Sequence, residues 1–313
     1  MKIVCVEPLG IGTEQFTELA NQFREMGHTF QFHTDRNEDP EELKRRMHDA
    51  DVVVISNIKL SGETLSACPS LKMLSVAFTG LDHIDLGYCK EHNIEVRNAA
   101  GYSTTAVSEL AVGLMIDCLR HITNLDGSIR NGGARGSFLG RELKGKTVGI
   151  VGTGAIGTET MRLLKAFGCR ILAYNRSIHP EAEALGAKYV SLDDLLSQSD
   201  IVSLHLPLNE STYHTIGAEE LRKMKPTSIL INTARGNVTD IAAVAEALCK
   251  GTIAAAAFDV YEQEPPLANN HPLSSAPNCI MVPHIGYATR EAFDIRADIV
   301  FNNVREFLSN QQA

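Results

Sequence analysis

The chain has 313 residues, of which 44% are hydrophobic and 21% charged, with a formal net charge of -9. That length is ample for two domains with separate cores, and the acidic balance argues against a nucleic-acid or anionic-membrane surface. Seven scattered cysteines without C-x-x-C spacing argue against a disulfide framework or a zinc site and for a reducing cytoplasm. The opening Lys2-Ile3-Val4-Cys5-Val6 is strand-like, too short and wrongly flanked for a signal peptide. No apolar run approaches membrane-spanning length.

Residues 2–98 alternate between strand and helix patterns. Strands are expected at 2–7, 29–33, 51–57, 71–78 and 94–97, with helices near 13–26, 40–49, 61–68 and 85–92. Val52-Val53-Val54-Ile55 is the continuous apolar run of a parallel strand buried on both faces. Next comes one long helix, about Ser103 to Asn131, opening on the cap-like Ser103-Thr104-Thr105. At ~1.5 Å per residue it spans about 40 Å, enough to cross from one domain to the next. A glycine-rich loop, 131–137, follows.

From Lys146 a second α/β unit begins, with six strands expected at 146–151, 170–175, 200–206, 228–233, 253–258 and 278–282. Helices are expected near 155–167, 179–185, 192–198, 218–224 and 240–250. A last helix, 288–310, has no strand after it and is expected back across the first domain. The expected fold is therefore α/β, with two doubly wound parallel-sheet domains. A Rossmann cofactor domain, 99–285, is inserted in a flavodoxin-like substrate domain, 1–98 plus 286–313.

The stretch that organises this plan runs from Lys146 to Gly157. An apolar strand enters Gly152-Thr153-Gly154-Ala155-Ile156-Gly157 and then a helical pattern. In this Gly-x-Gly-x-x-Gly spacing Gly152 takes a tight turn, Gly154 admits a pyrophosphate close to the backbone, and Gly157 packs helix on strand. The helix N-terminus, at Ala155 and Ile156, then faces the phosphates.

Five further motifs follow in order: Ser203-Leu204-His205-Leu206-Pro207-Leu208, Ile231-Asn232-Thr233-Ala234-Arg235-Gly236, Ala257-Phe258-Asp259-Val260-Tyr261, Glu264-Pro265 and Pro283-His284-Ile285-Gly286. With the glycine triplet they resemble the D-isomer-specific 2-hydroxyacid dehydrogenases over essentially the whole chain. Interconverting a 2-hydroxy acid and a 2-oxo acid moves a hydride at C2 and a proton at its oxygen. Arginine suits the carboxylate, which its fixed fork matches. Histidine beside a carboxylate suits the proton.

The resemblance implies that Arg235 orients substrate, His284 exchanges the proton, and Glu264 pairs with His284 and raises its pKa. It further implies that Asp259 accepts from the nicotinamide carboxamide. His205, Pro207, Thr233, Ala234 and Gly286 would line the cofactor. The backbone at Thr79-Gly80 would join Arg235 and His284 in holding the substrate. The long helix resembles an interdomain and dimer-forming element, so a homodimer is expected. No metal, nucleic acid or membrane partner is implied.

Two departures refine the expectation. NAD-specific members place an acidic residue after the second strand of the cofactor domain, where this chain has Asn175-Arg176-Ser177. Asn175 does not repel a 2′-phosphate, and Arg176 with Ser177 suits one, which favours NADP; Asn175 can also hydrogen-bond a ribose, so NAD stays open. Phosphoglycerate dehydrogenases often carry Arg-Ser-x-Thr-Lys after the third strand, where this chain reads Ile55-Ser56-Asn57-Ile58-Lys59. The chain also ends soon after the last helix, with no regulatory domain expected. Both points favour hydroxypyruvate or glyoxylate as substrate over the phosphorylated acid of a 3-phosphoglycerate dehydrogenase. Glu264 argues against formate dehydrogenases, which use glutamine there. A corepressor-like sensor of NAD(H) is the alternative of another class, because fold alone does not fix function.

Overall fold

Every strand pair among the described residues is parallel, and the strands sort into two sheets. The computed structural model describes residues 1–311. One unit comprises Met1–Ser103 and Ala288–Ala313, and the other, Thr104–Tyr287, is inserted between them in sequence.

In the first unit β1 (Lys2–Cys5), β2 (Thr29–Phe32), β3 (Val52–Ile55), β4 (Met73–Val76) and β5 (Glu95–Asn98) alternate with α1 (Thr13–Glu25), α2 (Pro40–Met47), α3 (Gly62–Ser66) and α4 (Leu86–Glu91). The order β2-β1-β3-β4-β5 is the flavodoxin-like one. All four residues of β3 and of β4 are buried, as parallel strands covered on both faces must be. Local signals start the helices: Asp39 caps α2 by accepting from Glu41 N at 2.8 Å, just ahead of Pro40. The C-terminal helix (Arg290–Asn310) turns Ala297, Val300, Phe301, Val304 and Leu308 inward. Phe301 there meets the rings of Phe16, Phe23 and Phe30 at centroid distances of 5.9–6.0 Å.

The second unit opens with α5 (Thr104–Arg120) and α6 (Ile122–Arg130). The sequence leads to one helix here; the structure has two. His121 between them sits in the left-handed region at φ 51°, which a helix cannot propagate through. Asp117 then accepts from Thr123 N at 3.0 Å and caps the new start. The two helices differ in burial. α5 packs Ala111, Val112, Leu114 and Met115 into its own unit's core, whereas α6 buries none of its residues and exposes Ile122 and Ile129.

Seven strands follow: β6 (Thr147–Val151), β7 (Arg170–Tyr174), β8 (Lys188–Tyr189), β9 (Ile201–Leu204), β10 (Ile229–Asn232), β11 (Ala255–Phe258) and β12 (Cys279–Met281). Six were expected; the extra one is the two-residue edge strand β8, too short to show any period-2 pattern. The order is β12-β11-β10-β9-β6-β7-β8, so the strand order reverses between β6 and β9, where doubly wound sheets bind dinucleotides. One face is covered by α5 and α7 (Ala155–Ala166) through Met115, Met161 and Leu164. The other is covered by α9 (Leu192–Gln198), α10 (Ala218–Lys223) and α11 (Ile241–Cys249) through Leu195, Leu221 and Val244, while α8 (Pro180–Ala184) joins the first face through Ala182, against α7. No helix among the described residues is long and apolar enough to cross a membrane.

Candidate active site

The glycine loop leaves β6 at its carboxyl end and enters α7, and each glycine has its own constraint. Gly152 sits at φ 100°, and a Cβ there would lie 2.5 Å from the His205 carbonyl oxygen. Both facts demand glycine. A Cβ on Gly157 would fall inside the shell of the Gly152 carbonyl oxygen, so helix and strand could not approach. Gly154 differs: a Cβ there would meet nothing within 4 Å. It faces open space at the start of a 12-residue helix, and no side chain caps that helix. Its first N–H groups have no intrahelical partner, which makes this end a seat for an anion. Ala155 and Ile156 form the first turn of α7. The residues fit a dinucleotide on a second ground, since Thr233 Oγ1 is buried and has no hydrogen-bond partner among the described residues.

Asn175, Arg176 and Ser177 follow β7 at the same edge of the sheet. Asn175 Nδ2 donates to the Ser177 carbonyl at 3.0 Å, closing a tight turn. Ser177 Oγ lies 3.3 Å from His179 Nε2. Arg176 is exposed, and its guanidinium has no hydrogen-bond or ion-pair partner among the described residues. No carboxylate occupies the turn.

Arg235, Glu264 and His284 come from the carboxyl ends of β10, β11 and β12. His284 Nδ1 lies 2.8 Å from both carboxylate oxygens of Glu264. That contact engages Nδ1, one of the two ring nitrogens of the imidazole. His284 itself stands in the left-handed region at φ 53°, an uncommon conformation for a non-glycine residue. Its own backbone N–H bonds the Val282 carbonyl at 3.1 Å around Pro283. Asp259 secures the far side, accepting from Ile285 N at 2.6 Å and Gly286 N at 2.8 Å. A Cβ on Gly286 would lie 2.8 Å from that carboxylate, so the position suits glycine. Burial raises the Asp259 carboxyl above its ordinary range, while the two backbone donors and His284 act to lower it. Each of its oxygens keeps acceptor capacity beyond these bonds.

Arg235 is held by residues whose contribution no spacing rule reveals. Buried Asn232 accepts from Ala234 N at 3.0 Å and donates to the Arg235 carbonyl at 3.0 Å, clamping the turn that carries the guanidinium. Gly236 lies against the Tyr261 backbone so closely that no Cβ fits. The Tyr261 hydroxyl reaches the Phe258 carbonyl at 3.2 Å and the Val282 carbonyl at 3.0 Å, bracing the exits of β11 and β12. An asparagine or tyrosine inside a motif is the only sequence signal for either.

His205 follows directly on β9, and Ser203 Oγ lies 2.9 Å from its Nε2. Desolvation pushes its imidazole down to about 4, so the ring is neutral at pH 7. Pro207 is exposed two residues on. Thr79 and Gly80 belong to the other unit, in the loop after β4, where the Thr79 carbonyl accepts from Asn98 Nδ2 at 2.7 Å.

Known proteins resemble this chain in sequence and in fold. Residues 112–286 match the family described as D-isomer specific 2-hydroxyacid dehydrogenase, NAD binding domain. The chain is 42% identical over 279 residues to a glyoxylate reductase of Thermofilum pendens, spanning 87% of this chain and 82% of that protein. It is 41% identical over 262 residues to a hydroxypyruvate reductase of Thermotoga maritima, spanning 83% and 85%. The solved structure of a glyoxylate reductase from Paecilomyes thermophila matches with a TM-score of 0.87 at 34% identity, over 97% of this chain and 94% of that one. The chain belongs to the D-isomer-specific 2-hydroxyacid dehydrogenase family. It is a nicotinamide-dependent oxidoreductase acting on the CH–OH group of small 2-hydroxy acids or on the corresponding 2-oxo acids.

Proposed function

We propose that this dehydrogenase works chiefly as an NADPH-dependent reductase of a small unphosphorylated 2-oxo acid, hydroxypyruvate or glyoxylate. The observation that carries the cofactor choice is the turn after β7. It presents an exposed Arg176 with no partner among the described residues and no carboxylate to repel a 2′-phosphate. Support for the substrate comes from relatives named glyoxylate reductase and hydroxypyruvate reductase.

When bound, the nicotinamide cofactor supplies the hydride taken up at C2 of the oxo acid. Gly152, Gly154, Ala155, Ile156 and Gly157 receive its pyrophosphate at the N-terminus of α7. Asn175, Arg176 and Ser177 hold the adenosine ribose and its phosphate. His205, Pro207, Thr233 and Ala234 line the remaining length, and Asp259 and Gly286 border the nicotinamide. Arg235 grips the substrate carboxylate with its guanidinium fork and polarises the C2 carbonyl. His284 donates from Nε2 to the C2 oxygen during reduction and takes that proton back in the reverse direction. Glu264 at Nδ1 fixes the ring's orientation and stabilises its charged form.

The test is the initial rate of NADPH and NADH oxidation, each with hydroxypyruvate, glyoxylate, pyruvate and phosphohydroxypyruvate. The proposal expects the highest kcat/KM for NADPH with hydroxypyruvate or glyoxylate. NADH-only turnover with the phosphorylated acid would replace it with a phosphoglycerate dehydrogenase. Tight cofactor binding without turnover on any of the four would favour a sensor of NAD(H). A cytoplasmic homodimer belongs to the same proposal, supported by the exposed Ile122, Ile129 and Leu139 and by seven free cysteines. Light scattering on that preparation should give about twice 34.1 kDa.

A further inference from the structure

The edge strand β8 contributes one side chain that joins two parts of the cofactor region. Tyr189 pairs alongside Ala173 of β7. Its hydroxyl accepts from the His179 backbone N–H at 3.0 Å and donates to Thr153 Oγ1 at 2.9 Å. Thr153 is the fully buried residue between Gly152 and Gly154, and its carbonyl accepts from Thr158 Oγ1 at 3.2 Å. His179 closes the segment that carries Arg176, and that segment is already tied together through Asn175 and Ser177. Among the described residues no other side-chain hydrogen bond joins the glycine loop to this segment.

We propose that Tyr189 is a positioning residue that fixes the Asn175–His179 turn against the glycine loop and thereby sets the preference for NADP(H) over NAD(H). The proposal rests on the cofactor reading given above. A phenol suits the place because one oxygen donates and accepts at once. An arginine on an exposed turn binds a phosphate well only if the turn is held before the ligand arrives, since ordering it later costs affinity. The glycine loop is anchored by β6 and α7, so tying the turn to it transfers that rigidity to Arg176. The pyrophosphate and adenosine ends of the dinucleotide are then received at a fixed separation. A phenylalanine fills the same space and cuts the tie.

Isothermal titration calorimetry with NADPH and with NADH, without substrate, tests this on Tyr189→Phe, Arg176→Ala and the double variant. Loss of the tie should raise the Kd for NADPH about fivefold, the equivalent of one net hydrogen bond, and the Kd for NADH less than about twofold. In the Arg176→Ala background the same change should have little further effect on either cofactor, because the turn then carries no clamp to position. Thr153→Val cuts the tie from its other end and should reproduce the split if Tyr189→Phe is poorly folded. If Arg176→Ala shifts the ratio of the two Kd values while Tyr189→Phe and Thr153→Val leave it unchanged, the proposal is overturned and the cofactor reading stands. If Arg176→Ala itself leaves the ratio unchanged, the cofactor reading fails first. A merely structural tyrosine would weaken both cofactors equally, which also overturns the proposal.

Discussion

The first strand-to-helix loop of each sheet sits at the same topological position and leads to a helix that starts at a glycine with no side-chain cap, Gly12 or Gly154, so the two loops differ at the strand end. After β6 the chain is Gly152-Thr153-Gly154, with open space at Gly154 and an uncapped helix start beyond. After β1 it is Val6-Glu7-Pro8-Leu9, and the Glu7 side chain, 2% exposed, fills the strand end. One Glu7 oxygen accepts from Ser56 N at 2.7 Å and the other pairs with Arg36. The first unit thus fills its strand end with its own carboxylate, whereas no carboxylate stands in the Gly152-Thr153-Gly154 stretch of the second. Equal topology sets where a ligand can bind, and the side chains of the loop decide whether one does.

That contrast makes opposite claims about substitutions: at the open end they should alter chemistry or binding, and at the closed end stability. The largest expected effect is at His284. His284→Asn suits the test better than alanine, because asparagine tolerates the left-handed backbone at φ 53°. The variant should lose about 10²- to 10⁴-fold in kcat, with an unchanged melting temperature and cofactor Kd. Turnover within about tenfold of wild type would remove His284 from the proton transfer.

The glycine loop gives a sharper pair. Gly154→Ala adds a methyl where nothing lies within 4 Å, so the fold should tolerate it while the dinucleotide meets it. Cofactor Kd should rise about tenfold or more at constant melting temperature. Gly157→Ala drives its methyl into the Gly152 carbonyl, so stability itself should fall, by about 1–3 kcal/mol. Melting curves and titrations on both variants check this. Equal loss of stability in the two would mean that Gly154 is not an open seat.

Much of this was legible in the sequence, for reasons that also explain what was not. Gly-x-Gly-x-x-Gly is legible because three backbone requirements fall within six residues. Buried parallel strands such as Val52–Ile55 are legible as unbroken apolar runs. The break at His121 was not, since a left-handed residue inside an apolar periodicity leaves no mark on that periodicity. Strand β8 was too short for pattern, and with it the two-sided hydrogen bond of Tyr189 went unseen. The bracing of the His284 loop by Asp259 joins positions 26 and 27 residues apart, and only the folded chain reveals such a contact. Motif resemblance marked Glu264 and His284 together, but the 2.8 Å approach to both carboxylate oxygens is a property of two neighbouring strand ends.

The smallest expected effect tests the closed end. Burial raises the Glu7 carboxyl above its ordinary 4.5, and Arg36 with the Ser56 and Ile58 backbone donors offsets this only in part. A carboxyl whose folded pKa is raised holds its proton longer in the folded state than in the unfolded one. Through that interval the folded state binds more protons, so stability falls as pH rises. Glu7→Gln removes the titration while keeping an oxygen for Ser56 N. The stability of wild type minus that of the variant should therefore decline as pH rises above about 4.5, measured by urea unfolding at a series of pH values. Taking the difference cancels other carboxylates such as Asp35 and Glu42, whose folded pKa values are lowered by Arg46 and Arg45 and which act with the opposite sign. A difference that grows with pH would show the Arg36 pairing outweighing burial. The closed loop would then be held chiefly by its ion pair, and the cost of burying a charge that separates it from the glycine loop would be absent.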